Sequence, residues 1–376
     1  MVKLNKKIAT IFYIIMIASK LQAQQIDCNL ELPKTITSDR ILILFDNGIG
    51  QEFVDFNVID FRVDIKKKVF SEFGMINVLY RNSKGNFDGV RFLVKANVKS
   101  SILFKQVNDT TLNLLSKSFT ENAFDISKHK DFLAIKKYCK AEFDENTFYS
   151  KEYRNQKSDL NLNLYNLSSI KLARKELSYI KKNGNKYFYF WYFRVNVVAT
   201  LLKTNKIEIY ETFNSVFPKK FTESDEGKSL KEKIEGNLYV KEGEKAPLFR
   251  TIGYYGDSII LEKFRGKYVL IDFWATWCIP CIEKIPTIKK IRNDFDRKIL
   301  EIVSISYDKD SIAFINGVKK YELNWFNIFN NPKIRNAYGD TPIPALYLID
   351  PNGIICYSSW ENNIDKLFDI LKKTIK

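Results

Sequence analysis

The C-terminal third of this sequence predicts an α/β fold, a central mixed sheet flanked by helices. The part before it predicts an α+β region of antiparallel strands followed by helices. Three patterns carry this. From Ala246 onward the elements alternate as β-α-β-α-β-β-α, which calls for helices on both faces of a sheet. From about Ile41 to Gln106, apolar and polar residues alternate over long runs, the period of a half-buried strand. From about Asp131 the spacing becomes helical. With 376 residues the chain has room for two or three domains at roughly 150 residues each.

The elements follow in order. Lys3, Lys6 and Lys7 precede an apolar run, Ile8 to Ala18, and Leu21-Gln22-Ala23 offers a small residue before a cut. This is the layout of a secretory signal peptide, residues 1-23. The run is shorter than the ~20 residues of a membrane span, and an uncleaved anchor is the rival reading. Gln25-Ile26-Asp27 are not the small apolar residues that would precede a lipid-modified Cys28. The expected location is therefore the periplasm or cell envelope, where disulfide chemistry operates. Membrane contact is expected only through an uncleaved signal anchor.

Residues 24-130 form the β-rich region. Ile41 to Phe45 precedes the turn signal Asp46-Asn47-Gly48, Phe53 to Ile65 and Val90 to Val98 alternate, and residues 82-86 read as a hairpin loop. Residues 131-235 read as helical and as one unit with those strands. Leu167, Ile170, Leu172, Ala173, Leu177 and Ile180 share a helical face, and Glu226 to Ile234 reads as a last short helix. Tyr187 to Leu202 is rich in Phe, Tyr and Val, and periodicity leaves helix and strand both open. Residues 236-245 read as a linker before a domain at 246-376. There, strands are expected at Tyr268–Trp274, Ile299–Tyr307, Ala345–Ile349 and Ile354–Tyr357, and helices at Ile279–Arg297, Ser311–Tyr321 and Ile364–Ile375.

Composition removes several function classes. The net charge of +16 is spread along the chain without a block of five like charges, and no nucleic-acid-binding motif accompanies it, so no nucleic-acid partner is expected. Five cysteines, Cys28, Cys139, Cys278, Cys281 and Cys356, are too few for a disulfide-built scaffold. One histidine, His129, leaves no supply for His-based triads or metal sites. It lies between Lys128 and Lys130 and reads as exposed. Cys28 and Cys139 could pair or stay separate thiols. Cys356 falls on an expected inner strand and reads as a buried, inert thiol.

The chemistry sits in Val269 to Cys281, where a buried strand runs straight into a helix whose first turn holds Cys278 and Cys281. Their spacing brings two thiols at a helix start within disulfide reach. Cys278 at the helix N-terminus meets unpaired backbone N–H groups and the positive end of the dipole, which favour thiolate. Cys281, one turn in, suits a resolving thiol. A lone C-x-x-C is also half a zinc site, but no second C-x-x-C exists. Neither metal nor cofactor is expected. Asp272 interrupts the apolar strand, where a carboxylate is costly without a partner or a task.

On these residues the C-terminal domain resembles thioredoxin-fold thiol–disulfide oxidoreductases of the TlpA/ResA type. The matching segments are Ala246-Pro247-Leu248-Phe249, Gly266 to Leu270 leading into Phe273 to Cys278, Thr341 to Ala345, and Leu348 to Gly353. The region before, with Phe190-Trp191-Tyr192 and Glu226-Gly227-Lys228, resembles more loosely an extra domain fused to exported relatives. The resemblance implies Cys278 as attacking nucleophile, Cys281 as resolving thiol and Asp272 as the buried acid that accepts the Cys281 proton. It implies Pro344 as a cis-proline facing the dithiol, with Pro342 the rival, and Pro286 as a helix-kinking proline. Substrate contact is expected at Pro344, Ile343 and Trp277, while Trp274 and Trp277 pack around the site. One departure stands out: many such proteins carry Glu three residues after the second Cys, where this chain has Lys284, with Glu283 in a different helical phase.

The expected function is exported disulfide reduction in cell-envelope proteins, with protein disulfides as substrates and an external thiol as electron donor. A rival from another class is an envelope binding module whose N-terminal domain captures a partner, the dithiol being secondary. A peroxidase of the peroxiredoxin kind would resemble a pattern with Thr three and Pro seven residues before the reactive Cys; here these are Ala275 and Ile271. A copper-delivery protein of related fold would have three residues between its Cys and a nearby His.

Overall fold

The computed structural model describes residues 24–54, 56, 61–81, 87–108, 111–114, 122–359 and 363–374. The signal segment 1-23 and the hairpin loop expected at 82–86 lie outside the described residues, as does part of the Phe53 to Ile65 run. The chain forms two compact units, and they do not divide at one point in the sequence. The first holds residues up to Ser168, with Asn185–Tyr189 and Lys219–Glu226; the second holds Ser169–Gly184, Phe190–Pro218 and Gly227 onward.

In the first unit, strands β1 (Gln24–Glu31), β2 (Ile41–Asp46), β3 (Gln51–Phe53), β4 (Arg62–Val69), β5 (Phe73–Arg81), β6 (Phe87–Lys95), β7 (Lys99–Asn108), β8 (Thr111–Leu114) and β9 (Ala123–Asp125) make two sheets. Their orders are β4-β1-β7-β8 and β3-β2-β5-β6-β9. Pairing is antiparallel apart from β1 with β7, which is parallel. Alternate residues point inward: Ile26, Cys28 and Leu30 from β1 meet Val63 and Ile65 from β4 and Ile76 and Val78 from β5 in one buried core. Each such side chain contributes about 1.5–3 kcal/mol by leaving water. Helices α1 (Lys130–Tyr138) and α2 (Lys140–Asn155) follow, and α3 (Asp159–Asn183) buries Leu172, Ala173, Leu177 and Ile180 of the expected run but leaves Leu167 exposed.

The Tyr187 to Leu202 ambiguity resolves as helix. α4 (Tyr187–Tyr192) continues through a π-helical stretch, Phe193–Val198, into a turn at Ala199–Leu201. Phe190 packs edge-on to Phe217, with ring centroids 5.2 Å apart. Phe190, Trp191, Phe193, Val197 and Val198 are buried, while Arg194 and Asn196 are half-buried. Next come α5 (Lys206–Val216), α6 (Lys219–Thr222) and α7 (Asp225–Tyr239). α7 passes the boundary expected at 235/236. Gly236 reads as a linker residue, yet a Cβ there would lie 2.4 Å from the Gly339 amide nitrogen and 2.5 Å from the Asn336 carbonyl oxygen. It is a glycine of close backbone approach inside a helix, not a flexible joint.

From Arg250 onward the second unit adds a hairpin, β10 (Arg250–Ile252) with β11 (Ser258–Ile260). Then follow β12 (Tyr268–Trp274), α8 (Ile279–Asp294), β13 (Leu300–Ser306), α9 (Ser311–Lys320), β14 (Phe326–Ile328), α10 (Pro332–Ala337), β15 (Ala345–Ile349), β16 (Ile355–Ser358) and α11 (Ile364–Thr374). The sheet order is β14-β13-β12-β15-β16. β12 runs parallel to β13 and antiparallel to β15. This is the mixed sheet of the thioredoxin fold. β12, β13 and β15 are buried on both faces, which is why they read as continuous apolar runs. One face packs Leu270, Trp274, Leu346 and Leu348 against α8 and α11. The other packs Ile271, Phe273, Val303 and Tyr347 against Ile334 and Tyr338.

Two single-residue expectations are corrected. β16 is an edge strand, so Cys356 is only half-buried, its thiol 3.4 Å from the Leu348 carbonyl oxygen. Burial still pushes that thiol up to about 12. His129 is not exposed. Its ring stacks between Phe124 and Phe188, with centroids 4.6 and 4.5 Å away, and Nδ1 accepts the Asp131 N–H as the N-cap of α1. Desolvation lowers its pKa.

Candidate active site

β12 ends at Trp274, and four residues later the chain enters α8 with Cys278 at its N-cap. Cys278 and Cys281 form a disulfide, with Cα atoms 5.2 Å apart. The Cys281 backbone N–H donates to Cys278 Sγ at 3.3 Å, so a helix N-terminal donor already faces the sulfur that would carry thiolate charge. Both cysteines are buried, Cys278 at 6% and Cys281 at 3% exposure. Pro280 stands in the first turn, where its missing N–H costs nothing; Pro286 stands inside α8, where it removes one helical hydrogen bond. The other cysteines, Cys28 and Cys139, are buried thiols not joined to each other. Burial pushes Cys28 up to about 12. Among the described residues no group of three His, Cys, Asp or Glu is placed to hold a metal ion.

Asp272 lies on the β12 face shared by Leu270 and Trp274, the face that α8 covers. It is buried, and opposite Ser304 on β13 in the parallel register. The Ser304 hydroxyl donates to its Oδ2 at 2.8 Å. Desolvation pushes Asp272 up to about 7, against the opposing pull of that hydrogen bond and of the Lys284 charge. A carboxyl in that range exchanges protons at neutral pH.

The cis peptide is Ile343–Pro344; Pro342 has no such bond. Ile343 is half-buried and packs against both cores. The Tyr307 hydroxyl donates to the Thr341 carbonyl oxygen at 2.8 Å, tethering this loop to the end of β13. The two tryptophans part ways. Trp274 is 2% exposed and packs in the core; Trp277, at 65%, and Ile279, at 72%, stand out beside the disulfide.

Residues 243–358 match the AhpC/TSA family. The chain is 35% identical over 133 residues to the thiol-disulfide oxidoreductase ResA of Bacillus thuringiensis subsp. konkukian (strain 97-27), covering 35% of this chain and 77% of that protein. This chain belongs to the ResA family of thiol–disulfide oxidoreductases. ResA of Bacillus subtilis (strain 168) is 32% identical over 119 residues, 31% of this chain and 66% of its own. Among solved structures, the thioredoxin domain of thiol-disulfide oxidoreductase BVU-2223 from Bacteroides vulgatus is 27% identical and covers 36% of this chain and 99% of its own, with a TM-score of 0.34.

Within this ResA-type domain, three groups near the site escape sequence reasoning. Ser304 is one small polar residue in an apolar strand and gives no signal. Trp325, whose indole N–H donates to Ser304 Oγ at 2.8 Å, precedes a three-residue strand too short to show a period. Asp308 accepts from the Thr276 N–H at 3.1 Å and from the Thr276 hydroxyl at 2.7 Å. It lies 32 positions from that threonine, beyond any local pattern.

Proposed function

We propose that this oxidoreductase is exported and reduces disulfides in cell-envelope proteins. One arrangement carries the reading: a dithiol at a helix N-terminus, backed by a buried acid that titrates near neutrality. Cys278 thiolate attacks one sulfur of a target disulfide; the Cys278–target disulfide forms and the other target sulfur leaves as thiolate. Asp272 takes the proton of Cys281. The Cys281 thiolate then attacks Cys278 Sγ, closing the Cys278–Cys281 disulfide and releasing the second target thiolate. The target gains two electrons and the dithiol loses two. An external thiol donor restores the dithiol by the same exchange in reverse.

Trp277 and Ile279 give the target chain an apolar landing, and Ile343 and Pro344 offer backbone beside it. Ala275 and Ile271, where a peroxidase would carry Thr and Pro, argue against peroxide as the substrate. Export rests on the segment 1-23. A redox domain at 246-376 belongs to the same reading.

The test is capture. Cys281→Ser, expressed in a host with its envelope intact, should accumulate a mixed disulfide through Cys278 with an envelope protein, released by reductant. Capture of cytoplasmic proteins alone would remove export from the reading.

A further inference from the structure

Asp272 receives one hydrogen bond from Ser304, and Ser304 receives one from Trp325. All three are buried: Asp272 6%, Ser304 0% and Trp325 3% exposed. A serine hydroxyl has one proton to give and two lone pairs. The indole N–H is a donor only, so it occupies a Ser304 lone pair and cannot be repaid. The single Ser304 proton goes to Asp272 Oδ2. With the indole on one lone pair, the hydroxyl has one direction fewer in which to turn its proton away from Asp272.

We propose that Trp325 is a positioning residue for proton transfer: through Ser304 it commits Oδ2 of Asp272 to accepting a hydrogen bond and leaves Oδ1 as the oxygen that takes the Cys281 proton. The relay rests on the proton-acceptor role of Asp272 in the proposed function. It favours the charged carboxylate, because a donor chain polarised from the indole end strengthens the bond to an anion. The groups beside Asp272 are Ser304 from β13, Lys284 from α8 and apolar Leu346 from β15. Lys284 acts on the same charge but through space, so the relay must be separated from it.

The experiment compares Ser304→Ala, Trp325→Phe and the double variant with wild type. Trp325→3-benzothienylalanine, which keeps the ring shape and loses only the N–H, covers the case in which Phe unsettles the core. The Asp272 carboxyl is titrated by 13C NMR in the oxidised protein, and the acid limb of disulfide reduction is measured in parallel. Ser304→Ala should move both about one pH unit upward. Either Trp325 variant should move them the same way by about half as much, and the double variant should match Ser304→Ala. An unmoved or downward titration in the benzothienyl variant, or shifts that add in the double variant, would overturn the relay. Asp272→Asn separates the layers. If it keeps the acid limb, the proton-acceptor role itself fails; if it loses the limb while Trp325 variants leave the titration unmoved, only the relay fails.

Discussion

Tyr307 and Asp308, adjacent at the end of β13, each hold one of the two loops that flank the dithiol. The Tyr307 hydroxyl binds the Thr341 carbonyl oxygen ahead of cis-Pro344, and the Asp308 carboxylate binds the N–H and hydroxyl of Thr276 ahead of Cys278. Asp308 also accepts from the Ser306 hydroxyl at 2.7 Å, so its oxygens are fully engaged. Helix α9 presses from the other side: a Cβ on Gly317 would lie 2.5 Å from Thr276 Cγ2. One strand end thus sets the spacing between the nucleophile loop and the proline loop.

These two tethers should separate in kinetics. Asp308→Ala leaves the half-buried Thr276 donors without this partner, which costs on the order of 1–2 kcal/mol of stability, and lets the Cys278 loop move, so kcat should fall. Tyr307→Phe removes one hydrogen bond, worth about 1 kcal/mol, and loosens the proline loop, so KM for a protein disulfide should rise with kcat little changed. Denaturant melts and steady-state kinetics with insulin as substrate read both.

Asp272 should make the oxidised protein less stable as pH rises. Its folded pKa, about 7, lies above the ordinary 3.8. Between those values the folded state binds more protons than the unfolded state, so stability is full below the lower value and is lost as pH climbs through the upper one. At 1.36 kcal/mol per unit the loss is on the order of 4 kcal/mol by pH 8. Asp272→Asn keeps an acceptor for Ser304 and cannot ionise, so it should be the more stable protein at pH 8 and lose that advantage by pH 4. Urea unfolding across this range measures it.

Lys284 stands where many relatives carry Glu, and its charge holds Asp272 down against burial. Lys284→Gln should move the acid limb of disulfide reduction upward by a few tenths of a pH unit, and Lys284→Glu by more. Because Lys284 is only half-buried, the effect should shrink in 0.5 M salt. The Ser304 contribution, a buried hydrogen bond, should not.

What the sequence made legible follows from how locally each feature is encoded. Cys278, Cys281 and Asp272 lie within ten residues of one another on a strand–helix junction, and β12 and β15 occupy the spans the sequence predicts. The partners of Asp272 are set by the β12/β13 register and by the chain's return to the sheet at Trp325, which no local pattern encodes. Gly236 and His129 failed for a related reason. A glycine at a helix end and a histidine between lysines look like surface features until the backbone of Gly339 and the rings of Phe124 and Phe188 arrive from elsewhere in the chain.

The central claim is that Cys278 carries the exchange. Protein reduced beforehand and freed of reductant, mixed with excess protein disulfide, should reduce one disulfide per molecule in a single turnover and end as the Cys278–Cys281 disulfide. Cys278→Ala should reduce none. Reduction at near the wild-type rate by Cys278→Ala would contradict the mechanism at its first step.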